Sequence, residues 1–428
     1  MISRTRLLAR CTGCTTARSA AAARTAMSTW SDVPMGPPDP IMGLTDRFNE
    51  DTFPQKVSVG VGAYRDDDGK PYILPSVIAA EERLLAQKVN HEYAGIAGIA
   101  AFTQLSLEFG YGKDSAALAA GRIAAVQTLS GTGSLRLAGM FYERFLGAGT
   151  PMYLPDPTWG NHIPIFKQSG LDVRTYKYYD PDTVSVDFQG MLADVAAAPT
   201  GSIFLFHSCA HNPTGIDLSI EQWGELSKAV KAAGHHVLMD NAYQGFASGN
   251  AEQDAASLRL FVEDGHDLML CQSYAKNFGL YGERIGALSA VCADPDEAKR
   301  VESQLKILIR PLYSNPPIHG ALIVKEILSD PALRAQWDDE CRGMADRIIE
   351  MRALLRSAIE AQGGSRSWNH ITDQIGMFCY SGLTADQVKT LQDDYHVYMT
   401  NDGRISMAGV NSKNVEYIAE AIGAVTKE

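Results

Sequence analysis

A lysine with polar neighbours is the most informative feature of this sequence. Lys276 belongs to the stretch 273–284, which directly follows an apolar run at 267–272 that predicts a short buried strand. A lysine at a strand end can carry an aldehyde cofactor as a Schiff base if its neighbours lower the pKa of its amine. Ser273 and Arg284 add a hydroxyl and a guanidinium, the groups that bind a phosphate ester. The alternative is an ordinary surface lysine, and other parts of the sequence are needed to distinguish the two.

A second polar stretch, Ser-Gly-Thr-Gly-Ser at 130–134, predicts an anion site. It follows a predicted strand and precedes a predicted helix that ends near Leu146. Free amides at a helix start attract an anion, and the loop supplies hydroxyls. The stretch lacks the Gly-Lys-Ser/Thr of a nucleotide P-loop and the spacing of a dinucleotide fingerprint, which argues against a nucleotide-binding protein. An ordinary β–α turn is the other interpretation.

Further polar or aromatic groups follow other predicted strands: Trp159, the stretch 207–215, and Asp240 with Tyr243. Strands and helices alternate through this region, which predicts a mainly parallel sheet covered on both faces. Ligands of such sheets bind at the carboxyl ends of the strands. Together with Ser130 and Lys276, these groups predict one pocket that holds a phosphate, a flat ring and an amine.

The length of 428 residues exceeds one simple core and predicts two lobes. We expect a large domain at 76–337 and a small C-terminal α+β domain at 338–428, joined by 41–75 as part of the small domain. Residues 28–40 are rich in Pro and Gly and predict an extended N-terminal arm. Such an arm could lie across a partner subunit or be a floppy linker.

Composition excludes some classes of function. The net charge of −12 argues against nucleic acid as a partner. A hydrophobic content of 45% with 21% charged residues is typical of a soluble globular protein. No apolar run approaches the length needed to cross a bilayer.

Residues 1–27 have the composition of an organelle transit peptide. They hold five arginines, many Ser, Thr and Ala, and no acidic residue, since Asp32 is the first carboxylate. This favours the mitochondrion first and the plastid second, and a basic disordered tail is the alternative. Cys11 and Cys14 lie inside this leader without a second pair, so we predict no metal site. The other five cysteines predict buried thiols in a reducing compartment.

Taken in order, the motifs resemble the aspartate aminotransferase family, within the class I pyridoxal-phosphate aminotransferases, and especially its mitochondrial members. The resemblance spans the whole chain after the leader. It implies an α/β protein of fold type I, with a large, mainly parallel seven-stranded sheet domain, helices on both faces, and a smaller α+β domain. The motifs that carry it are 59–65, 130–133, 157–162, 210–215, Asp240 with 243–246, 273–284, 309–311 and 404–406.

The resemblance implies a cofactor, a reaction and a location. Pyridoxal 5′-phosphate would be held on Lys276 as a Schiff base. By ping-pong chemistry on this residue, L-aspartate and 2-oxoglutarate would give oxaloacetate and L-glutamate. The family also implies a homodimer with shared active sites in the mitochondrial matrix. Cis peptide bonds are expected before Pro157 and Pro213.

The resemblance also assigns roles to individual residues. Lys276, Asp240, Tyr243 and Trp159 would be catalytic. Asp240, backed by His162, would face the pyridine nitrogen, and Arg404 would bind the α-carboxylate of the substrate. Tyr93 and Arg310 would reach the pocket of the other subunit. The cofactor-binding residues would be Lys276, Ser130, Gly131, Thr132, Trp159, His162, Asn212, Asp240, Tyr243, Ser273, Arg284 and Tyr93, and the substrate-binding residues Gly62, Trp159, Asn212, Arg404 and Arg310.

Departures from the family pattern are few, and none removes a catalytic group. Asn241 stands beside Asp240 where a small or apolar residue is expected, so it could alter how Asp240 is held. Residues 94–96, Ala-Gly-Ile, replace a bulkier turn next to Tyr93, and Ser208 replaces alanine. Two other functions stay open: a broader aminotransferase that also takes aromatic amino acids, and a non-catalytic binding protein on the same scaffold.

Overall fold

A computed structural model describes residues 28–36 and 42–427. The predicted leader at 1–27 and residues 37–40 of the predicted arm lie outside these described residues. The described chain divides into two units between residues 36 and 42. In the first unit, the amide of Ser31 donates to the carbonyl of Ser28 at 3.0 Å and that of Val33 to Trp30 at 3.1 Å, which closes a turn. Trp30 and Met35 are largely exposed.

The strands and helices of the second unit are numbered in chain order. Strands β1 to β13 are Val57–Ser58, Ile123–Leu129, Pro151–Asp156, Asp172–Lys177, Tyr179–Asp180, Ser185–Val186, Ile203–His207, His236–Asn241, Leu268–Ser273, Ile285–Val291, Phe378–Tyr380, Val397–Tyr398 and Arg404–Ser406. Helices α1 to α16 are Met42–Glu50, Pro75–Gln87, Ala100–Tyr111, Ala116–Ala119, Ser130–Leu146, His162–Gln168, Phe188–Ala197, Ile220–Ala233, Ala251–Asp254, Ala256–Glu263, Pro295–Leu312, His319–Ser329, Pro331–Ala361, His370–Asp373, Ala385–Asp393 and Val415–Thr426.

The main sheet has seven strands in the order β2-β10-β9-β8-β7-β3-β4. All are parallel except β10, which pairs antiparallel with both β2 and β9. Strands β7, β9 and β10 are buried along their whole length because helices cover both faces, which explains why their sequences are mainly apolar. The predicted fold class is therefore confirmed.

The connection from β2 to α5 differs from the sequence prediction. No loop separates the two, because α5 begins directly at Ser130. Ser130 has a φ of 63°, in the left-handed region, so the chain turns from strand to helix at one residue. The amides predicted to lie in a loop are therefore the first amides of the helix.

A smaller group of elements lies around the C-terminal part of the chain. Strand β1 pairs with β12 in parallel and β11 pairs with β13 antiparallel, so residues near 58 join those near 398. This pairing agrees with the expectation that 41–75 belongs with the C-terminal domain. The division into domains stays a prediction, and α13 runs unbroken across the expected boundary at residue 338. No helix of the described chain is both long and apolar enough for a membrane span.

Candidate active site

Three neighbouring parallel strands, β7, β8 and β9, bring their carboxyl ends to one edge of the sheet. A cavity of about 210 Å³ opens there. The cavity is surrounded by the ends of these strands, the start of α5 and the loop that holds Trp159. Of the predicted site residues, those that line it are Gly62, Ser130, Gly131, Thr132, Trp159, Asn212, Asp240, Tyr243, Ser273, Lys276 and Arg284.

The Lys276 amine lies inside this cavity, partly buried and 5.3 Å from the centroid of the Tyr243 ring. No residue of the described chain forms a hydrogen bond or ion pair with it. Burial lowers the pKa of this amine, and the positive charges of Arg284 and Arg404 act in the same direction, against the opposing effect of Asp240. A lysine in these surroundings is activated as a nucleophile.

Asp240, on β8, is held by a chain of hydrogen bonds. Its Oδ2 lies 3.0 Å from Nε2 of the fully buried His162, whose Nδ1 lies 2.8 Å from the Thr158 hydroxyl. Burial alone would raise the pKa of Asp240, but the His162 hydrogen bond and the nearby imidazoles and Lys276 outweigh it, so the pKa is lowered. Since an ionised carboxylate only accepts, His162 donates to Asp240 from Nε2.

The opposite end of the cavity is built for an anion. Ser130 and Ser273 place their hydroxyl oxygens 3.3 Å apart, beside the first amides of α5. Arg284 lines the same end, and its Nη1 donates to the carbonyl of Tyr281 at 2.8 Å. A Cβ at Gly131 would lie only 3.0 Å from the Ser273 Cβ, so glycine lets the helix start approach that strand. Hydroxyls, helix amides and a guanidinium are the groups that bind a phosphate ester.

Arg404, on β13, lies beside the cavity and is 5% exposed. Its Nη2 donates to the Gly60 carbonyl at 3.0 Å, its Nη1 to Asn212 Oδ1 at 3.4 Å, and its guanidinium lies 4.1 Å from the centroid of the Phe378 ring. Within the described residues its Nε has no partner and no carboxylate pairs with it. Burial lowers the pKa of this guanidinium. A buried cation without a counter-ion is suited to an anionic ligand.

Comparison with known proteins now identifies the family. A family model described as aminotransferase class I and II matches residues 54–422. The chain is a class I/II aminotransferase.

Full-length relatives agree with this assignment. A curated mitochondrial aspartate aminotransferase of Dictyostelium discoideum is 55% identical to this aminotransferase over 399 residues, which covers 93% of each chain. A curated protein of the same name from Gallus gallus is 55% identical over 410 residues, 96% of this chain and 97% of the other.

Solved structures share the fold. A mitochondrial aspartate aminotransferase from Trypanosoma brucei has a TM-score of 0.86 and 43% identity, covering 90% of this chain and all of the other. An aromatic-amino-acid aminotransferase from Burkholderia pseudomallei, covalently bound to pyridoxal phosphate, has a TM-score of 0.91 and 43% identity, covering 94% of this chain and all of the other.

Two predicted site residues of this aminotransferase lie away from the cavity. Tyr93 is 87% exposed in a loop. Arg310, near the end of α11, is also exposed, and its Nη1 donates to the Ser314 hydroxyl at 2.6 Å. The single chain therefore does not bring these two side chains to Lys276.

Six residues that line the cavity had no role assigned from the sequence, and two of them, His207 and Tyr281, place polar side chains there. His207 is buried, accepts from the Asn212 amide at 3.0 Å, and has no partner at Nε2 in the described chain. Tyr281 accepts from the Tyr64 amide at 2.9 Å. His207 ends β7, and Tyr281 belongs to the polar stretch 273–284 that holds Lys276; these positions are the sequence signals that point to them.

A cluster of metal-ligating groups adjoins the cavity, which two of its three members line. His162, His207 and Asp240 offer ligand atoms within 4.8 Å of one another. The hydrogen bonds of His162 to Thr158 and Asp240 already use both of its nitrogens. A carboxylate–imidazole pair thus accounts for the cluster, and the expectation of no metal site stays a prediction.

Cis peptide bonds precede Pro157 and Pro213, as the family resemblance implied. The five cysteines outside the leader are buried free thiols, which is also confirmed.

Proposed function

We propose that this aminotransferase transfers the amino group of L-aspartate to 2-oxoglutarate, giving oxaloacetate and L-glutamate, with pyridoxal 5′-phosphate as cofactor. The observation that carries the proposal is the Lys276 amine, which lies in one cavity with Asp240 and the anion site at Ser130 and forms no hydrogen bond or ion pair within the described chain. The names of the full-length relatives support the choice of aspartate.

The residues present fit the cofactor. The anion end of the cavity, with Ser130, Gly131, Thr132, Ser273 and Arg284, would hold the phosphate. Asp240 would face the ring nitrogen, Trp159 and Asn212 would contact the ring, and Lys276 would hold the aldehyde carbon. When bound, pyridoxal phosphate supplies an aldehyde for exchange with the substrate amine and an electron sink for the carbanion at the substrate Cα.

Three side chains of the protein would have separate roles in this reaction. Lys276, once released, is the base that takes the Cα proton, and its lowered pKa suits this because an amine must be neutral to accept a proton. Asp240, kept ionised with the help of the His162 hydrogen bond, would keep the ring nitrogen of the cofactor protonated. Burial raises the pKa of Tyr243, so its phenol remains a hydrogen-bond donor.

Specificity for a dicarboxylic substrate would come from two arginines. Arg404 is buried beside the cavity and free of carboxylates among the described residues, so it would bind the α-carboxylate through its planar fork. A second guanidinium is useful only for a substrate with a second carboxylate, and Arg310 would supply it.

Arg310 and Tyr93 point to a homodimer with shared active sites. Both are exposed and outside the cavity of their own chain, so they would act in the cavity of a partner subunit. The proposed small domain, 41–75 with 338–428, would carry Arg404 and Gly62 against the large domain at 76–337.

The protein is mitochondrial. Its full-length curated relatives are mitochondrial proteins, in agreement with the arginine-rich composition of residues 1–27, and the plastid alternative is not favoured. The matrix is the compartment we propose.

A coupled assay with aspartate and 2-oxoglutarate tests the proposed function. We expect oxaloacetate to form at a rate that rises when pyridoxal phosphate is added to cofactor-depleted protein. Full-length protein that is saturated with cofactor and forms no oxaloacetate would contradict the proposal.

A broader aminotransferase is the second candidate, because solved structures of similar fold include an aromatic-amino-acid aminotransferase at 43% identity. Turnover of phenylalanine against aspartate separates the two. A comparable kcat/KM for both amino acids would favour the broader enzyme.

A further inference from the structure

Four buried amide side chains lie next to the site without lining its cavity. Each is at most 2% exposed. Each is also the immediate chain neighbour of a proposed cofactor-binding residue. The pairs are Asp240 with Asn241, Tyr243 with Gln244, Ser273 with Gln272, and Lys276 with Asn277.

Gln244 connects three of these four positions. Its Oε1 accepts from Asn241 Nδ2 at 2.8 Å, and its backbone carbonyl accepts from Asn277 Nδ2 at 2.9 Å. Its own Nε2 donates to the carbonyls of Phe109 and Ala251 at 2.6 and 3.1 Å. The backbone positions that carry Asp240, Tyr243 and Lys276 are therefore joined through one residue.

The link is anchored on both sides. The Asn277 carbonyl accepts from Nε1 of the fully buried Trp337 at 2.9 Å. Gln272 pairs in register with Asn241 across β8 and β9, and its Nε2 donates to the Ser106 carbonyl at 3.0 Å. The network therefore has no free end at which Lys276 could shift independently of Asp240.

Positioning matters here because the Lys276 amine has no hydrogen bond of its own in the described chain. Its place relative to Asp240 is set by the backbone on either side of it. Packing alone does not explain why these positions hold amides. The side-chain oxygens of Asn241, Gln272 and Asn277 have no protein partner, and an apolar side chain would avoid the cost of burying an unpaired polar atom. Asn241 in particular stands where the family resemblance leads us to expect a small or apolar residue.

We propose that Gln244 is a positioning residue, which holds Asn241 and Asn277 and thereby sets the separation between the Lys276 amine and the Asp240 carboxylate. The inference rests on the proposed function, because it assigns the separation a role in moving the Cα proton. A displacement of about 1 Å in such a geometry lowers a rate by up to about 100-fold.

The test compares Gln244→Leu and Asn277→Leu with a matched control, Gln392→Leu. Gln392 is also a buried amide, 5% exposed, whose Nε2 donates to the Met399 carbonyl at 2.7 Å, but it lies far from the cavity in sequence and does not line it. In cofactor-free protein, the rate at which acetic anhydride labels Lys276 is measured against pH by mass spectrometry. In protein loaded with pyridoxal phosphate, the pH at which the visible band shifts, kcat and KM are measured, together with the unfolding temperature.

We expect Gln244→Leu and Asn277→Leu to move the pH midpoint of Lys276 labelling by about one unit, since both the burial of the amine and its distance from Asp240 change. The midpoint of the visible band should move as well, and kcat should fall about 10- to 100-fold with KM nearly unchanged. Gln392→Leu should lower the unfolding temperature and leave the other readouts in place. If all three variants lose thermal stability alike and neither midpoint moves, the amides are only structural and the proposal is wrong.

A milder variant keeps the test decisive if the leucine variants do not fold. Asn241→Ala introduces a residue of the kind expected at this position, so the variant should fold. It should move the midpoints of Lys276 labelling and of the visible band in the same direction as the leucine variants do, by a smaller amount. Unchanged midpoints in Asn241→Ala would then overturn the proposal. The labelling readout needs no cofactor and no substrate, so it separates this inference from the proposed function, which fails only if the unaltered protein forms no oxaloacetate.

Discussion

The Lys276 cavity and the exposed surface that carries Tyr93 and Arg310 are two regions of one proposed site, built in opposite ways. In the cavity, burial and a few fixed neighbours control the charge of each group: the Asp240 side chain is 12% exposed and tied to His162, and the Lys276 amine is partly buried. Tyr93, by contrast, is 87% exposed. The cavity is therefore organised within one chain, whereas in the proposed dimer a second subunit would surround Tyr93 and Arg310.

The largest expected effect belongs to the cavity. Lys276→Ala should lower aspartate transamination by about 10⁴-fold or more, because the amine serves both as nucleophile and as proton carrier. The visible band of the bound cofactor should also lose its dependence on pH. A coupled oxaloacetate assay and an absorption titration measure the two effects.

Lys299→Ala is the matched control, since Lys299 is an exposed lysine on α11 that pairs with Asp296. It should keep full activity. Retention of a tenth of the activity in Lys276→Ala would refute the role given to this amine.

Mixing two inactive variants tests whether the active site is shared between subunits. Arg310→Ala should lower kcat/KM for aspartate by about 100-fold, since a charged hydrogen-bonded contact to the distal carboxylate is lost. When Arg310→Ala and Lys276→Ala subunits are unfolded together and refolded as a mixture, statistical pairing in a two-fold dimer should restore about one quarter of the activity. Each mixed dimer then holds one cavity with both an intact Lys276 and an intact Arg310.

Arg65→Ala provides a control for the first step and should affect aspartate turnover far less. A mixture that stays inactive, although mixed dimers are detected by mass, would show that the cavity uses no Arg310 from a partner.

A third test uses the buried imidazole of His207. Burial, with a smaller contribution from His162, lowers the pKa of His207 from 6.5 to about 3 in the folded protein. Below pH 6.5 the unfolded chain binds a proton there that the folded chain does not, so this residue makes stability fall as the pH falls towards 3. His207→Gln should therefore reduce the loss of unfolding free energy between pH 7 and pH 5 by about 2 kcal/mol.

Urea denaturation at fixed protein concentration measures this loss at both pH values. His319→Gln removes an exposed imidazole and serves as the control. Equal pH dependence in His207→Gln and the unaltered protein would mean that the folded state protonates His207, contrary to its buried position.

The smallest effect is expected at the anion end. Ser130→Ala removes one hydroxyl from a group that also includes helix amides, Ser273 and Arg284, so the affinity for pyridoxal phosphate should fall only about tenfold or less. Titration of cofactor-free protein, followed by fluorescence, gives the dissociation constant. Ser303→Ala, an exposed serine on α11, is the control. A loss of more than about 100-fold would mean that Ser130 acts through the left-handed turn at the start of α5 as well as through its hydroxyl.

The sequence predicted the sheet and the cavity because each signal was local. Unbroken apolar runs showed the buried strands, and the polar residues that ended them had to meet at one edge of a parallel sheet. Lys276, Asp240 and Asn212 are such residues, and the structure brings them together.

The contacts that the sequence could not predict join residues far apart in the chain. The bond of Arg404 to Asn212 spans 192 positions, and only the folded chain reveals it. The direct start of α5 at Ser130 was missed because its glycines and serines favour a loop by propensity, and packing against the sheet overrides that preference. The role of Arg310 was not readable from spacing at all and came only through the family resemblance.

Helix α13 runs for 31 residues, which makes a rod of about 46 Å. At Trp337 the rod is fastened to the loop behind Lys276, and about 22 Å further along, the buried Arg352 donates to the carbonyls of Ile371, Gly376 and Phe378. Phe378 in turn supports the guanidinium of Arg404. The residues that support Arg404 and the loop that carries Lys276 are thus both attached to α13. Any movement of Arg404 relative to Lys276 must therefore rotate or bend this helix.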